Sequence, residues 1–139
     1  MPDVLIATDA DYVLDDVQAA LDEPGTTWRV ARSGRLVVPA CRQRVPDLVV
    51  LDLQVGTMGG VATCLALRHE ESGGRLPHIP VVLLLDRQAD VFLAKRSGAE
   101  AWLVKPLDPF RLRKAAAAAL EGRSYHEGVP EEDPAAATQ

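Results

Sequence analysis

Two segments of this chain contain only apolar side chains, Leu48-Val49-Val50-Leu51 and Val81-Val82-Leu83-Leu84-Leu85. A strand with one wet face alternates polar and apolar residues. A strand with no polar positions has to be covered on both faces, as in a parallel sheet sandwiched between helices. Pro46 and Asp52 bracket the first run, and Pro80 and Asp86 bracket the second. Residues 4–7, 27–31 and 101–104 are shorter or more β-branched versions of the same signal, so five strands are expected.

The intervening segments carry helical spacing. Leu14, Val17, Ala20 and Leu21 follow Asp11, which is placed to cap a helix, and Pro24-Gly25 ends that unit. Residues 35–44 read as a second helix, in which Pro39 predicts a kink or a late start. Val61, Leu65 and Leu67 mark a third, between a glycine-containing loop over 54–60 and Ser72-Gly73-Gly74. Residues 91–96 form a short fourth helix closed by Gly98, and Asp108-Pro109 opens an alanine-rich fifth that runs to about Glu121. Five strands alternating with five helices imply right-handed crossovers and a five-stranded parallel sheet with helices on both faces. A length of 139 residues fits a single domain, taken as 1–121. Residues 122–139 are rich in glycine, proline, alanine and acid, and are expected to be a disordered acidic tail.

Composition removes several classes. The net charge of −5 argues against a basic nucleic-acid footprint. No apolar run approaches the ~20 residues of a membrane span, and no basic segment precedes an apolar one at the amino terminus. Cys41 and Cys64 are too few for a disulfide framework or a four-cysteine zinc site, and they read as small apolar side chains. His69, His78 and His126 lie on separate elements without ligand spacing. A reduced, cytoplasmic protein is expected.

In an open parallel sheet, ligands bind beyond the carboxyl ends of the strands, where the winding reverses. The ends of the first, third and fifth strands carry Asp9, Asp52 and Lys105. Two acids brought together require a compensating cation. Magnesium, with one or two carboxylates, waters and a phosphate, suits such a site, and Lys105 adds a point charge for a phosphoryl group. The chemistry is phosphoryl transfer onto an aspartate. Plainer alternatives stand beside it. In these, Asp52 only ends a strand and accepts loop N–H bonds, Asp9 caps a helix, Lys105 is a surface lysine, and Trp102 packs the core.

The segments Val4-Leu5-Ile6-Ala7-Thr8-Asp9, Leu48-Val49-Val50-Leu51-Asp52-Leu53, Met58-Gly59-Gly60 and Gly98-Ala99-Glu100-Ala101-Trp102-Leu103-Val104-Lys105-Pro106 together resemble the receiver domain of two-component response regulators. The resemblance covers residues 4–121. It implies a flavodoxin-like (βα)5 fold with strand order 2-1-3-4-5. It also implies that Asp52 is the phosphoacceptor, that Mg²⁺ is held by Asp9, Asp52 and the Gln54 carbonyl, that Lys105 contacts the phosphoryl group, and that the Lys105–Pro106 bond is cis.

Two departures from the family pattern stand out. Thr8 occupies the place of the first of two adjacent acids. Leu85 falls where a Ser or Thr hydroxyl normally binds the phosphoryl group, and no Ser or Thr occurs between Val81 and Arg96. Leucine donates no hydrogen bond, and Asp86 beside it would repel a phosphate. Leu85 and Trp102 are therefore assigned to the switch and partner surface, with Trp102 in place of the usual smaller aromatic.

The resulting expectation is a stand-alone phosphorelay receiver and not an enzyme. It would be phosphorylated by a histidine kinase or phosphotransfer protein, and would act on a downstream protein through the face built from the fourth helix, fifth strand and fifth helix. The alternative is a receiver-like module that binds its partner without phosphorylation. An aspartate-nucleophile phosphatase is disfavoured, because Gln54 stands where that chemistry needs a second acid.

Overall fold

The computed structural model describes residues 2–127. Six parallel strands form one sheet in the order β2-β1-β3-β4-β5-β6. They are β1 (Asp3–Ala7), β2 (Thr27–Ala31), β3 (Leu48–Asp52), β4 (Val81–Leu85), β5 (Ala101–Val104) and β6 (Tyr125–His126). The connections carry α1 (Asp11–Leu21), α2 (Val37–Gln43), α3 (Gly60–Ser72), α4 (Val91–Ser97) and α5 (Pro109–Leu120). This is the flavodoxin-like doubly wound fold. Its winding reverses between β1 and β3, where the crevice for a ligand opens.

The strand alternation places the core on two faces. Leu5, Ala7, Val49, Leu51, Val81, Leu83 and Leu85 point to one side, against Val37, Cys41, Cys64, Leu67, Val91 and Ala94 of α2, α3 and α4. Val4, Ile6, Leu48, Val50, Val82, Leu84 and Leu103 point to the other, against α1 and the alanine face of α5. β3 and β4 are buried at every position, as their all-apolar runs require. Burial pushes the Cys41 and Cys64 thiols up to about 11, so both behave as apolar filling.

Three local expectations change. The sheet has a sixth strand, because Tyr125-His126 extends it beside β5 in the register Ala101↔Tyr125 and Trp102↔His126. A two-residue strand carries too little apolar pattern to announce itself in sequence. Residues 122–127 are therefore part of the fold rather than of a tail, and residues 128–139 of that expected tail lie outside the described residues. Asp11 does not cap α1. Ala10 is the capping residue, its N–H is taken by the Thr8 hydroxyl at 3.1 Å, and Asp11 pairs with Arg32. The late start that Pro39 predicts for the second helix is what the structure has: a 3-10 turn at Gly34–Leu36 precedes α2, which leaves Pro39 in the first turn, where proline is tolerated.

That 3-10 turn supports the loop after Asp52. The Gly34 N–H donates to the Gly56 carbonyl at 3.1 Å. A Cβ on Gly34 would lie 1.9 Å from the Met58 carbonyl oxygen, so only glycine fits. Gly34→Ala is expected to lower stability by about 1–3 kcal/mol, read as a fall in the urea midpoint. An unchanged midpoint would show that this contact is not tight.

Candidate functional site

Asp52 is the last residue of β3 and is only 1% exposed. A charged group so placed needs a full set of partners. Its Oδ1 accepts from Lys105 Nζ at 2.8 Å and from the Gln54 backbone N–H at 3.1 Å. Its Oδ2 accepts from the Thr8 hydroxyl at 2.7 Å. Thr8 is fully buried at the tip of β1, and its backbone N–H donates to the Ala31 carbonyl of β2 at 3.0 Å. Groups from the ends of β1, β3 and β5 thus meet at this carboxylate, with β4 lying between β3 and β5.

Lys105 leaves β5 just before a cis bond to Pro106. Its Nζ lies 2.9 Å from Asp86 Oδ1 as well as 2.8 Å from Asp52 Oδ1. Burial alone pulls the lysine pKa down, but the hydrogen bonds and charges of Asp52 and Asp86 outweigh this and raise it above the usual value. For Asp86, burial pushes the carboxyl up, and the hydrogen bonds of Lys105 and Gln54 with the charges of Lys105 and Arg87 bring it below the ordinary value.

The short connection from β4 to α4 holds Asp86 in place. The carboxylate of Asp90, itself buried, accepts the N–H groups of Asp86 at 3.2 Å and Arg87 at 2.9 Å. This folds the chain so that Asp86 faces Lys105.

Of the three residues expected to meet, Asp52 and Lys105 are in contact. Asp9 is exposed at the rim, where its Oδ2 accepts the Gly56 N–H at 3.1 Å. Leu85 is corrected from the switch and partner surface to the core: the alternation along β4 turns it inward, and it is fully buried among apolar side chains. Trp102 is likewise not a surface residue. It is 3% exposed, and its ring stacks on His126 with centroids 3.8 Å apart and planes 5° from parallel. Two interactions escaped the sequence reading, namely the Thr8 bond to Asp52 and the Asp86 pair with Lys105. The signal for the second was present, since Asp86 follows the β4 apolar run as Asp52 follows the β3 run.

Among the described residues no three His, Cys, Asp or Glu side chains form a metal cluster. A hard divalent cation here would draw on the exposed Asp9 carboxylate, Asp52 and the Gln54 carbonyl. Such a set would meet the minimum for magnesium, which keeps several of its waters. It is one acid poorer than the family pattern, and the Thr8 hydroxyl occupies part of the Asp52 valence.

Fold and site together define a class: a doubly wound sheet with an aspartate–lysine pair at its strand tips. Residues 4–117 match the model of the response regulator receiver domain, and the chain belongs to that family. It is 30% identical over 109 residues to the transcriptional regulatory protein AfsQ1 of Streptomyces coelicolor, covering 77% of this chain and 46% of that protein. It is 30% identical over 122 residues to PilH of Pseudomonas aeruginosa, covering 88% of this chain and 100% of PilH. The chain thus spans about half the length of several curated relatives and the whole of PilH.

Two solved structures are similar. The receiver domain of a signal transduction histidine kinase from Syntrophus aciditrophicus has a TM-score of 0.76 at 27% identity, covering 88% of this chain and 92% of that one. The receiver domain of NtrX from Brucella abortus has a TM-score of 0.73 at 27% identity, covering 85% and 98%. No described helix is long and apolar enough to cross a membrane.

The ion pairs fix a pH signature. Asp86, depressed below 3.8, contributes stability that is present above 3.8 and lost as pH falls through its folded value. Lys105, raised above 10.5, contributes stability that is present below 10.5 and lost as pH rises through its folded value. The gap in urea midpoint between the wild type and Lys105→Met should be widest between these limits and close at both ends. A gap independent of pH would contradict the pairing.

Proposed function

We propose that this chain is a phosphorelay receiver that accepts a phosphoryl group on Asp52 and signals by protein–protein contact. The observation that carries the reading is Lys105 Nζ at 2.8 Å from Asp52 Oδ1, at the crevice where the winding of the sheet reverses. In the proposed step a carboxylate oxygen of Asp52 attacks phosphorus, the bond from phosphorus to the donor breaks, and an acyl phosphate forms. The donor is a phosphohistidine of a kinase or phosphotransfer protein, or a small acyl phosphate. Lys105 holds positive charge against the transferring oxygens, and positioning does most of the work. Mg²⁺ held by Asp9, Asp52 and the Gln54 carbonyl would add charge neutralisation on those oxygens.

Asp86 opposes this step. It already occupies Lys105, and it sets a negative charge beside the place where the phosphoryl group arrives. Leu85 offers no hydroxyl there, so the acyl phosphate lacks the usual hydrogen bond that converts modification into movement. The output is expected through α4 and α5, which expose Phe92, Leu93 and Phe110, with Lys114 Nζ 4.9 Å from the Phe110 ring centroid. The match along the full length of PilH supports a single-domain receiver, and a cytoplasmic location fits this role.

A second reading is a receiver-like module that binds its partner without phosphorylation. The 1% exposure of Asp52 and its three hydrogen bonds favour it. Acetyl phosphate with Mg²⁺, read by intact-protein mass, separates the two. One phosphoryl group on the wild type, none on Asp52→Asn and a higher occupancy on Asp86→Asn are expected. No mass gain on the wild type or on Asp86→Asn would leave the second reading.

A further inference from the structure

The outer edge of β5 is closed by the chain's own residues 124–127, through polar contacts and one ring stack. Two backbone bonds carry it: the Tyr125 N–H to the Glu100 carbonyl at 3.4 Å, and the Glu127 N–H to the Trp102 carbonyl at 3.0 Å. At Val104 the edge amide is taken by the Glu127 carboxylate. Glu127 Oε1 accepts the Val104 N–H at 3.3 Å and also pairs with Arg111, while Oε2 accepts the Tyr125 hydroxyl at 2.9 Å. His126, exposed on its outer side, lies flat on Trp102 and places its Nε2 3.2 Å from the Glu100 carbonyl.

Each contact is generic to an extended strand. The edge amides bind any backbone. The Trp102 face stacks on any flat ring. The Val104 N–H and the Arg111 guanidinium together hold any carboxylate. β6 covers the Trp102 ring, and Tyr125 packs against the edge of the core, so lifting it uncovers one large ring that a partner's flat ring would cover in turn.

We propose that the outer edge of β5 is a docking edge for an extended partner segment, in which a flat ring is followed at once by an acidic residue. Residues 124–127 occupy it as a replaceable stand-in. The partner adds a parallel strand to β5, lays its ring on Trp102 and gives its carboxylate to Arg111 and the Val104 N–H. Trp102 becomes a contact residue only when the stand-in leaves. Arg111 also donates to the Pro106 carbonyl at 2.9 Å, one residue from Lys105, so the docking edge borders the Asp52 site. The proposal does not require phosphorylation.

Hydrogen exchange on the wild-type chain tests displacement. The amides of Val104, Tyr125 and Glu127 are expected to exchange by local opening, about a hundredfold or more faster than Val50 in β3. Exchange of these amides only with global unfolding would overturn the proposal. Recognition is tested with a labelled peptide, Gly-Arg-Ser-Tyr-His-Glu, copied from residues 122–127. It should bind the full-length double variant His126→Ala, Glu127→Gln at least about tenfold more tightly than the wild type, and a peptide with Ala and Gln at the ring and acid positions should bind neither. Equal affinity for variant and wild type would overturn the proposal, as would concentration-dependent dimers of the wild type with these amides exchanged between copies, which would make a second copy the occupant. If the double variant fails to fold, the exchange measurement decides alone.

Discussion

The carboxylate of Asp52, buried at the tip of β3 and held by the Lys105 ammonium at 2.8 Å, is the interaction around which the rest of this structure is arranged. A charge removed from water is tolerated only when it is paired and its oxygens are hydrogen-bonded. The sheet supplies those partners from both sides. β1 brings the Thr8 hydroxyl, the turn after β3 brings the Gln54 N–H, and β5 ends on Lys105. The parallel topology makes this possible, since strands running one way put all their carboxyl ends at one edge of the sheet.

Asp86 gives the site its individual character. A lysine with a single acid would be free to turn to an incoming phosphoryl group. Here the ammonium lies between two carboxylates, 2.8 and 2.9 Å away, and both raise its pKa. The ammonium is engaged by both acids before any ligand arrives, and under the proposed function a phosphoryl group would have to compete with Asp86 for the same cation. The hydroxyl that would favour the newcomer is absent, because Leu85 turns into the core. The chain pairs Asp52 with Lys105 at the strand tips and carries, in Asp86, a second carboxylate on the same lysine.

Much of this was legible in the sequence, and the boundary is physical. The all-apolar runs at 48–51 and 81–85 dictated strands buried on both faces, and the Asp-Pro pair at 108–109 fixed the start of α5, with Asp108 accepting the Arg111 N–H. Asp52 and Lys105 were visible because each directly ends such a run. The β6 strand was invisible because its stability comes from Glu127, Arg111 and the Trp102–His126 stack, contacts between residues 16 to 24 positions apart in the chain. Asp11 was misread as a cap because the helix begins at Asp11 itself, with Ala10 at the cap position and the Asp11 carboxylate turned to Arg32. Leu85 and Trp102 were placed at a surface by homology of position, whereas strand alternation and the added strand bury both.

The direct test of the central pair is a double-mutant cycle on folding stability with Asp52→Asn, Lys105→Met and the double variant. The pairing described here predicts that the two losses do not add, with a coupling of about 1 kcal/mol or more. Losses that add to within about 0.5 kcal/mol would mean that Asp52 and Lys105 are neighbours without being partners.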